Sequence, residues 1–231
     1  MHFSFVTLFP ALIEGYFSES ILSRAVVSKK ISIDFYDPRA FSQDKHRRVD
    51  APMIGGGAGM LMTPQPLMDT LNHIRKKFPE ACVIFLTPVA KPFKQNDAKR
   101  LADKSHLVFV SGRYEGIDER VIETYADELF SIGDFILTGG ELASMVVCDA
   151  VSRNVEGVLG NSDSLMIESF EAALLEAPSF TKPKIYENNA VVSEFLKGNH
   201  SKITDLKREL ALCKTKYFRP DLYKKKVSHE K

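Results

Sequence analysis

The stretch Ser131–Arg153, "SIGDFILTGGELASMVVCDAVSR", decides how the chain is read. Its apolar run Phe135–Thr138 has strand composition, Gly139 and Gly140 make a bare turn, and a helix-forming segment follows. Glycines between a strand and a helix admit either a tight turn or the close approach of another group to the backbone. Two further segments are built alike. The continuous apolar runs Cys82–Thr87 and Leu107–Ser111 suit strands buried on both faces, and they lead into "PVAKP" and "GRYEGIDERV". Ligands of open α/β sheets bind at the carboxyl ends of strands. Three neighbouring strands of this kind would bring their loops to one pocket.

Working outward, Phe3–Leu8 and Ile31–Tyr36 also have strand composition. Helical stretches lie between the strands. Thr63-Pro64 reads as an N-cap followed by proline in the first helical position, opening a helix toward Phe78, and Lys94–Lys104 and Asp118–Tyr125 read as helices too. The alternation predicts an α/β domain with a mainly parallel sheet. Two stretches break it. Asp44–Met60 is glycine-rich and charged, longer than a plain connection needs. Gly157–Ser169 has linker composition, and beyond it Ile203, Leu206, Leu210, Cys213 and Tyr217 recur every three or four residues, an apolar stripe on a helix.

The bulk numbers describe an ordinary globular chain of 231 residues, 44% hydrophobic and 26% charged. No apolar run has membrane-spanning length, and the start "MHFSFVTLFP" does not read as a secretory signal. Cys82, Cys148 and Cys213 are widely spaced and odd in number, as expected of reduced thiols in a cytoplasmic protein. The net charge of +1 hides an asymmetry: from Ser169 onward 13 Lys/Arg face 8 Asp/Glu, while the first 168 residues carry a net −4. A basic C-terminal third suits a polyanionic partner, and a lysine-rich solvated face would look the same.

No phosphate-binding fingerprint is present. The chain has neither G-x-G-x-x-G nor G-x-x-x-x-G-K-[ST], and "GGGAGM" follows a charged loop rather than a strand. A nucleotide-dependent oxidoreductase therefore lacks its signature.

Taken in order and spacing, "GGGAGMLM", "GRYEGIDERV", "SIGDFILTGGELA", "GVLGN", "FTKP" and "GNH" resemble the bacterial tRNA (guanine-N1-)-methyltransferases, of the SPOUT class. The likeness covers nearly the whole chain. It implies an α/β fold whose mainly parallel sheet carries a deep trefoil knot, a topology too rare for strand patterns to predict, and a small helical C-terminal domain. It divides the chain into a knotted cofactor-binding domain (1–159), a flexible linker (160–168) and a helical tRNA-binding domain (169–231). It implies methyl transfer from S-adenosylmethionine to N1 of guanosine 37 in tRNA, by a cytoplasmic homodimer whose active site is shared between subunits, with Mg2+ as a possible requirement whose ligands the sequence does not name.

By motif position the resemblance assigns the cofactor to Leu86, Thr87, Gly112, Tyr114, Glu115, Gly116, Ser131, Ile132, Gly133, Leu137, Gly139 and Gly140. Phe135 stands where tyrosine is common. The N1 of guanine keeps its proton at neutral pH, so transfer needs a general base, and charge developing on O6 needs a cation. The resemblance implies Glu168, where the family has aspartate, as the base, and Arg153 as the charge stabiliser. Toward RNA it points to His46, Arg47 and Arg48, to Arg113, and to Lys182, Lys207, Arg208, Lys214 and Arg219. Lys182 replaces an arginine, Ser179 a histidine and Glu176 an aspartate. A tRNA-binding protein without methyl transfer is the competing expectation, favoured only by Glu168.

Overall fold

The protein is described by a computed structural model covering residues 1–161, 163–171 and 174–229. In chain order its strands are β1 (His2–Val6), β2 (Ser32–Tyr36), β3 (Asp50–Pro52), β4 (Met60–Met62), β5 (Cys82–Leu86), β6 (His106–Ser111), β7 (Glu128–Phe130), β8 (Ile185–Tyr186) and β9 (Asn189–Ala190). Its helices are α1 (Ala11–Glu14), α2 (Ser20–Val27), α3 (Pro64–Lys77), α4 (Gln95–Ala102), α5 (Glu119–Tyr125), α6 (Glu141–Ser152), α7 (Asp163–Ile167), α8 (His200–Phe218) and α9 (Pro220–His229). The chain divides into two compact units, Met1–Gly160 and Asn161–Lys231.

The first unit is built on a five-stranded parallel sheet in the order β2-β1-β6-β5-β7. Both faces are covered, which is why its central strands read as unbroken apolar runs. Along β5, Ile84 and Leu86 face one core and Val83 and Phe85 the other. The first core adds Phe3, Phe5, Phe109 and Phe130, closed by residues of α1, α2, α4 and α6. The second adds Val108, Val110 and Met62, closed by Leu67, Leu71 and Ile74 of α3 and Val121 and Tyr125 of α5. Thr63 is the N-cap of α3, with proline in its first turn, and Asp118 caps α5 by accepting from the Arg120 amide at 3.1 Å.

The expected strand Phe135–Thr138 is not one. The third strand of the group is β7, and residues 131–140 form the loop after it. The apolar composition of that loop has another cause: Phe135, Ile136 and Leu137 line a cleft, and Ile136 is 80% exposed.

The glycine-rich stretch folds into a β3–β4 hairpin. It docks on the loop after β6, where Met62 donates to the Gly116 carbonyl at 2.9 Å and Glu115 to the Met60 carbonyl at 3.0 Å. Among residues 160–168, expected as a linker, Ser162 lies outside the described residues and Asp163–Ile167 form the short helix α7. In the second unit the stripe on α8 departs from expectation. Ala211 and Thr215 are its buried residues, whereas Cys213 and Tyr217 are exposed. Thr215 faces inward because its hydroxyl serves the backbone, accepting from the Leu175 amide at 2.9 Å and donating to the Ala211 carbonyl. Among the described residues no helix is long and apolar enough to cross a membrane.

Candidate active site

Because β6, β5 and β7 are neighbours in a parallel sheet, the loops after them leave from one edge. They enclose a cleft of about 440 Å³, within the size range of small-molecule sites. All twelve residues assigned to the cofactor by motif position line it: Leu86 and Thr87 after β5, Gly112, Tyr114, Glu115 and Gly116 after β6, and Ser131, Ile132, Gly133, Leu137, Gly139 and Gly140 after β7.

The loops hold their shape through local bonds. Ser131 is buried, and its hydroxyl both donates to the Gly133 carbonyl at 2.9 Å and accepts from the Gly133 amide at 3.1 Å. The Thr87 amide donates to the Phe130 carbonyl at 3.0 Å, tying the loop after β5 to the end of β7. Ser111 and Ser144 share a hydrogen bond of 2.9 Å beneath the cleft, and Ser144 also donates to the Gly140 carbonyl at 3.0 Å. Gly140 lies directly on the β6 backbone: its amide donates to the Gly112 carbonyl at 2.8 Å, and a Cβ there would stand 2.8 Å from the Gly112 nitrogen. Tyr114, at φ 60°, holds a left-handed conformation uncommon for a bulky residue and presents a half-exposed ring to the cleft.

S-adenosylmethionine combines a flat adenine with a positively charged sulfonium, and the lining fits both. Leu86, Ile132 and Leu137 offer apolar walls, bare glycine backbone offers amides and carbonyls, and Glu115 offers an exposed carboxylate. Phe135 also lines the cleft but brings no hydroxyl. Among the described residues no three His, Cys, Asp or Glu side chains group as the ligands of an all-protein metal cage would.

Beside the cleft lies a charged group that motif reading did not assign. Glu141, first residue of α6, is 2% exposed. Its carboxylate takes Nε of Arg113 at 2.9 Å and the Thr7 hydroxyl at 2.9 Å. Arg113, read from sequence as facing RNA, is thus drawn inward, and Nη1 donates to the Thr138 carbonyl at 3.2 Å. The only hint in the sequence is an acidic residue in the first turn of a helix, a place the helix dipole favours anyway.

Of the two residues read as catalytic, only Arg153 shares a unit with this cleft, and it does not line it. Arg153 is the C-cap of α6, its amide donating to the Asp149 carbonyl at 3.1 Å. Glu168 follows α7 in the second unit. That unit has a groove of its own, lined by Phe180, Lys182, Lys184, Phe195 and Lys207 among others, with the two phenyl rings 5.7 Å apart. Of the remaining basic residues, Arg219 is paired with Asp221 at 2.8 Å and Arg48 with Asp44 at 3.1 Å.

Comparison with known proteins places the chain. The family model described as tRNA (Guanine-1)-methyltransferase TrmD matches residues 1–225. A tRNA (guanine-N(1)-)-methyltransferase of Sulfurovum sp. (strain NBC37-1) is 82% identical over 98% of this chain and 100% of its own length. Those of Sulfurimonas denitrificans and Campylobacter curvus are 64% identical over 96% of each chain and 61% identical over 100% of each. A cleft at the carboxyl edge of a parallel sheet, walled by glycine backbone, thus sits in an enzyme of the tRNA (guanine-1)-methyltransferase family, to which this chain belongs.

Proposed function

We propose that this enzyme methylates N1 of guanosine 37 in tRNA, in the cytoplasm, with S-adenosylmethionine held in the cleft after β5, β6 and β7. The observation that carries the reading is the convergence of all twelve motif-assigned residues on that cleft. When bound, S-adenosylmethionine supplies a methyl group already activated on sulfur, so no protein nucleophile is needed. The chain's own residues do the rest. Leu86, Ile132 and Leu137 would wall the adenine, and the backbone along Gly112 and Gly139 would supply its polar contacts. The Glu115 carboxylate favours a cation near it. Glu168 accepts the N1 proton of guanine, turning a poor nucleophile into a good one. Arg153 faces the negative charge that then gathers on O6.

The loop after β7 passes through the loop after β6 as a deep trefoil knot in this reading. The contact of Gly140 with the Gly112 backbone supports it, since threaded backbone leaves no space for side chains. The lysine-lined groove supports the second unit as the tRNA-binding one.

The enzyme acts as a homodimer in which one subunit's cleft is completed by the Glu168 of its twin. An exposed apolar patch supports this. Leu12 of α1 and Leu142 and Val146 of α6 are each more than half exposed, on helices that pack together, and Tyr16, in the turn just after α1, donates a hydrogen bond to Asp149 of α6. Patches of this kind on soluble proteins mark interfaces.

The test is to incubate the protein with labelled S-adenosylmethionine and unmodified tRNA bearing guanosine at 36 and 37, then map the label. Label at N1 of guanosine 37 is expected. Tight tRNA binding without transfer, or label on another atom, would overturn the reading.

A further inference from the structure

We propose that Glu141 is a positioning residue for the methyl-donor cleft, acting through Arg113; this rests on the reading of that cleft as the donor site. A carboxylate that is 2% exposed is costly unless charged partners and hydrogen bonds satisfy it. Glu141 has both. Arg113 Nε lies 2.9 Å from Oε2 and 3.0 Å from Oε1, and the Thr7 hydroxyl donates to Oε1 at 2.9 Å. Thr7 is itself 1% exposed. Glu141 does not line the cleft, but Arg113 does.

The guanidinium of Arg113 is fixed on its other sides as well. It donates to the Thr138 carbonyl at 3.2 Å, and its carbon stands 4.6 Å from the centre of the Phe9 ring. Gly139 rests against it so closely that a Cβ there would come within 2.6 Å of Arg113 Cζ. Arg113 is therefore the support on which the Thr138–Gly139 turn lies, and Glu141 is what holds the support in place. Three segments meet on one carboxylate: the end of β1 at Thr7, the loop after β6 at Arg113, and the entry to α6. Without its charge, Arg113 loses its ion pair and keeps only the Thr138 and Phe9 contacts, and the Gly139 wall loses part of its backing.

Glu141→Gln keeps the shape of the side chain and removes the charge. The expected result is a KM for S-adenosylmethionine raised about 10-fold, with kcat at saturating donor within about 2-fold of wild type. Arg113→Met should raise the donor Kd similarly, and the double variant should be no worse than the weaker-binding single one, since both act through one contact. Arg113→Lys, which keeps the charge but cannot reach Glu141 and Thr138 at once, should fall between. A lowered Tm with unchanged donor affinity in Glu141→Gln would overturn the proposal, as would additive effects in the double variant. Should Glu141→Gln fail to fold, unchanged donor affinity in both Arg113 variants overturns it equally. Wild-type protein that binds no S-adenosylmethionine by calorimetry would instead sink the donor-site reading beneath it.

Discussion

Gly140 and Gly112 touch backbone to backbone: the amide of one donates to the carbonyl of the other at 2.8 Å, and no side chain fits between them. This contact fastens the start of α6 to the end of β6, and both glycines line the cleft. The prediction is direct. Gly140→Ala must push a methyl group against rigid backbone, at a cost of about 1–3 kcal/mol. Urea unfolding should show that loss, and calorimetry should show donor binding weakened or abolished. Gly160→Ala, with open space at the Cβ position, serves as the control.

Phe130 ends β7 and is fully buried, edge-on to Phe93 with ring centres 5.3 Å apart. It anchors the strand from which Ser131 and the cleft loop depart. Truncation to alanine should cost about 3–5 kcal/mol, measured by urea denaturation, and should weaken donor binding as well.

His106 is a buried base at the amino-terminal end of β6, the central strand of the sheet. Burial, and then the His2 ring 4.2 Å away, pushes its imidazole from the ordinary 6.5 down to about 4. Burial lowers His2 as well. The folded state therefore keeps His106 neutral where the unfolded chain takes up a proton. Stability contributed by this site is complete above the unfolded value and is lost as pH falls from 6.5 toward 4, by about 1–2 kcal/mol at pH 5. Unfolding free energies at pH 7.5 and pH 5 should differ less in His106→Gln than in the wild type.

Glu168→Gln and Arg153→Ala should each slow methyl transfer by about 100- to 10,000-fold, as expected for loss of a base or of a charge stabiliser. Neither should change donor affinity in the absence of tRNA. Single-turnover rates and donor calorimetry on the same preparations check both statements.

The sequence revealed β5 and β6 because burial on both faces leaves them no polar positions. It hid β7. Glu128 of that strand is held by Arg100 through two contacts of 2.6 Å at the sheet's edge, so the strand carries a charge where an apolar run would have announced it. The nearby run Phe135–Thr138 is apolar to line a cleft, and composition does not separate the two causes. On α8 the inward face is made by Ala211 and Thr215, one small and one polar, which a search for large apolar residues passes over. The cleft residues were legible only through their motifs. Glu141 was invisible because its partners, Thr7 and Arg113, lie 134 and 28 residues away in the chain.

The most direct test of the account is a crystal structure of the protein soaked with S-adenosylhomocysteine, the demethylated form of the donor. The account predicts density between Leu86, Tyr114, Ser131, Leu137 and Gly139, with backbone of the loops after β6 and β7 in contact with the adenine. Density at any other place, with that cleft holding only solvent at saturating ligand, would contradict it.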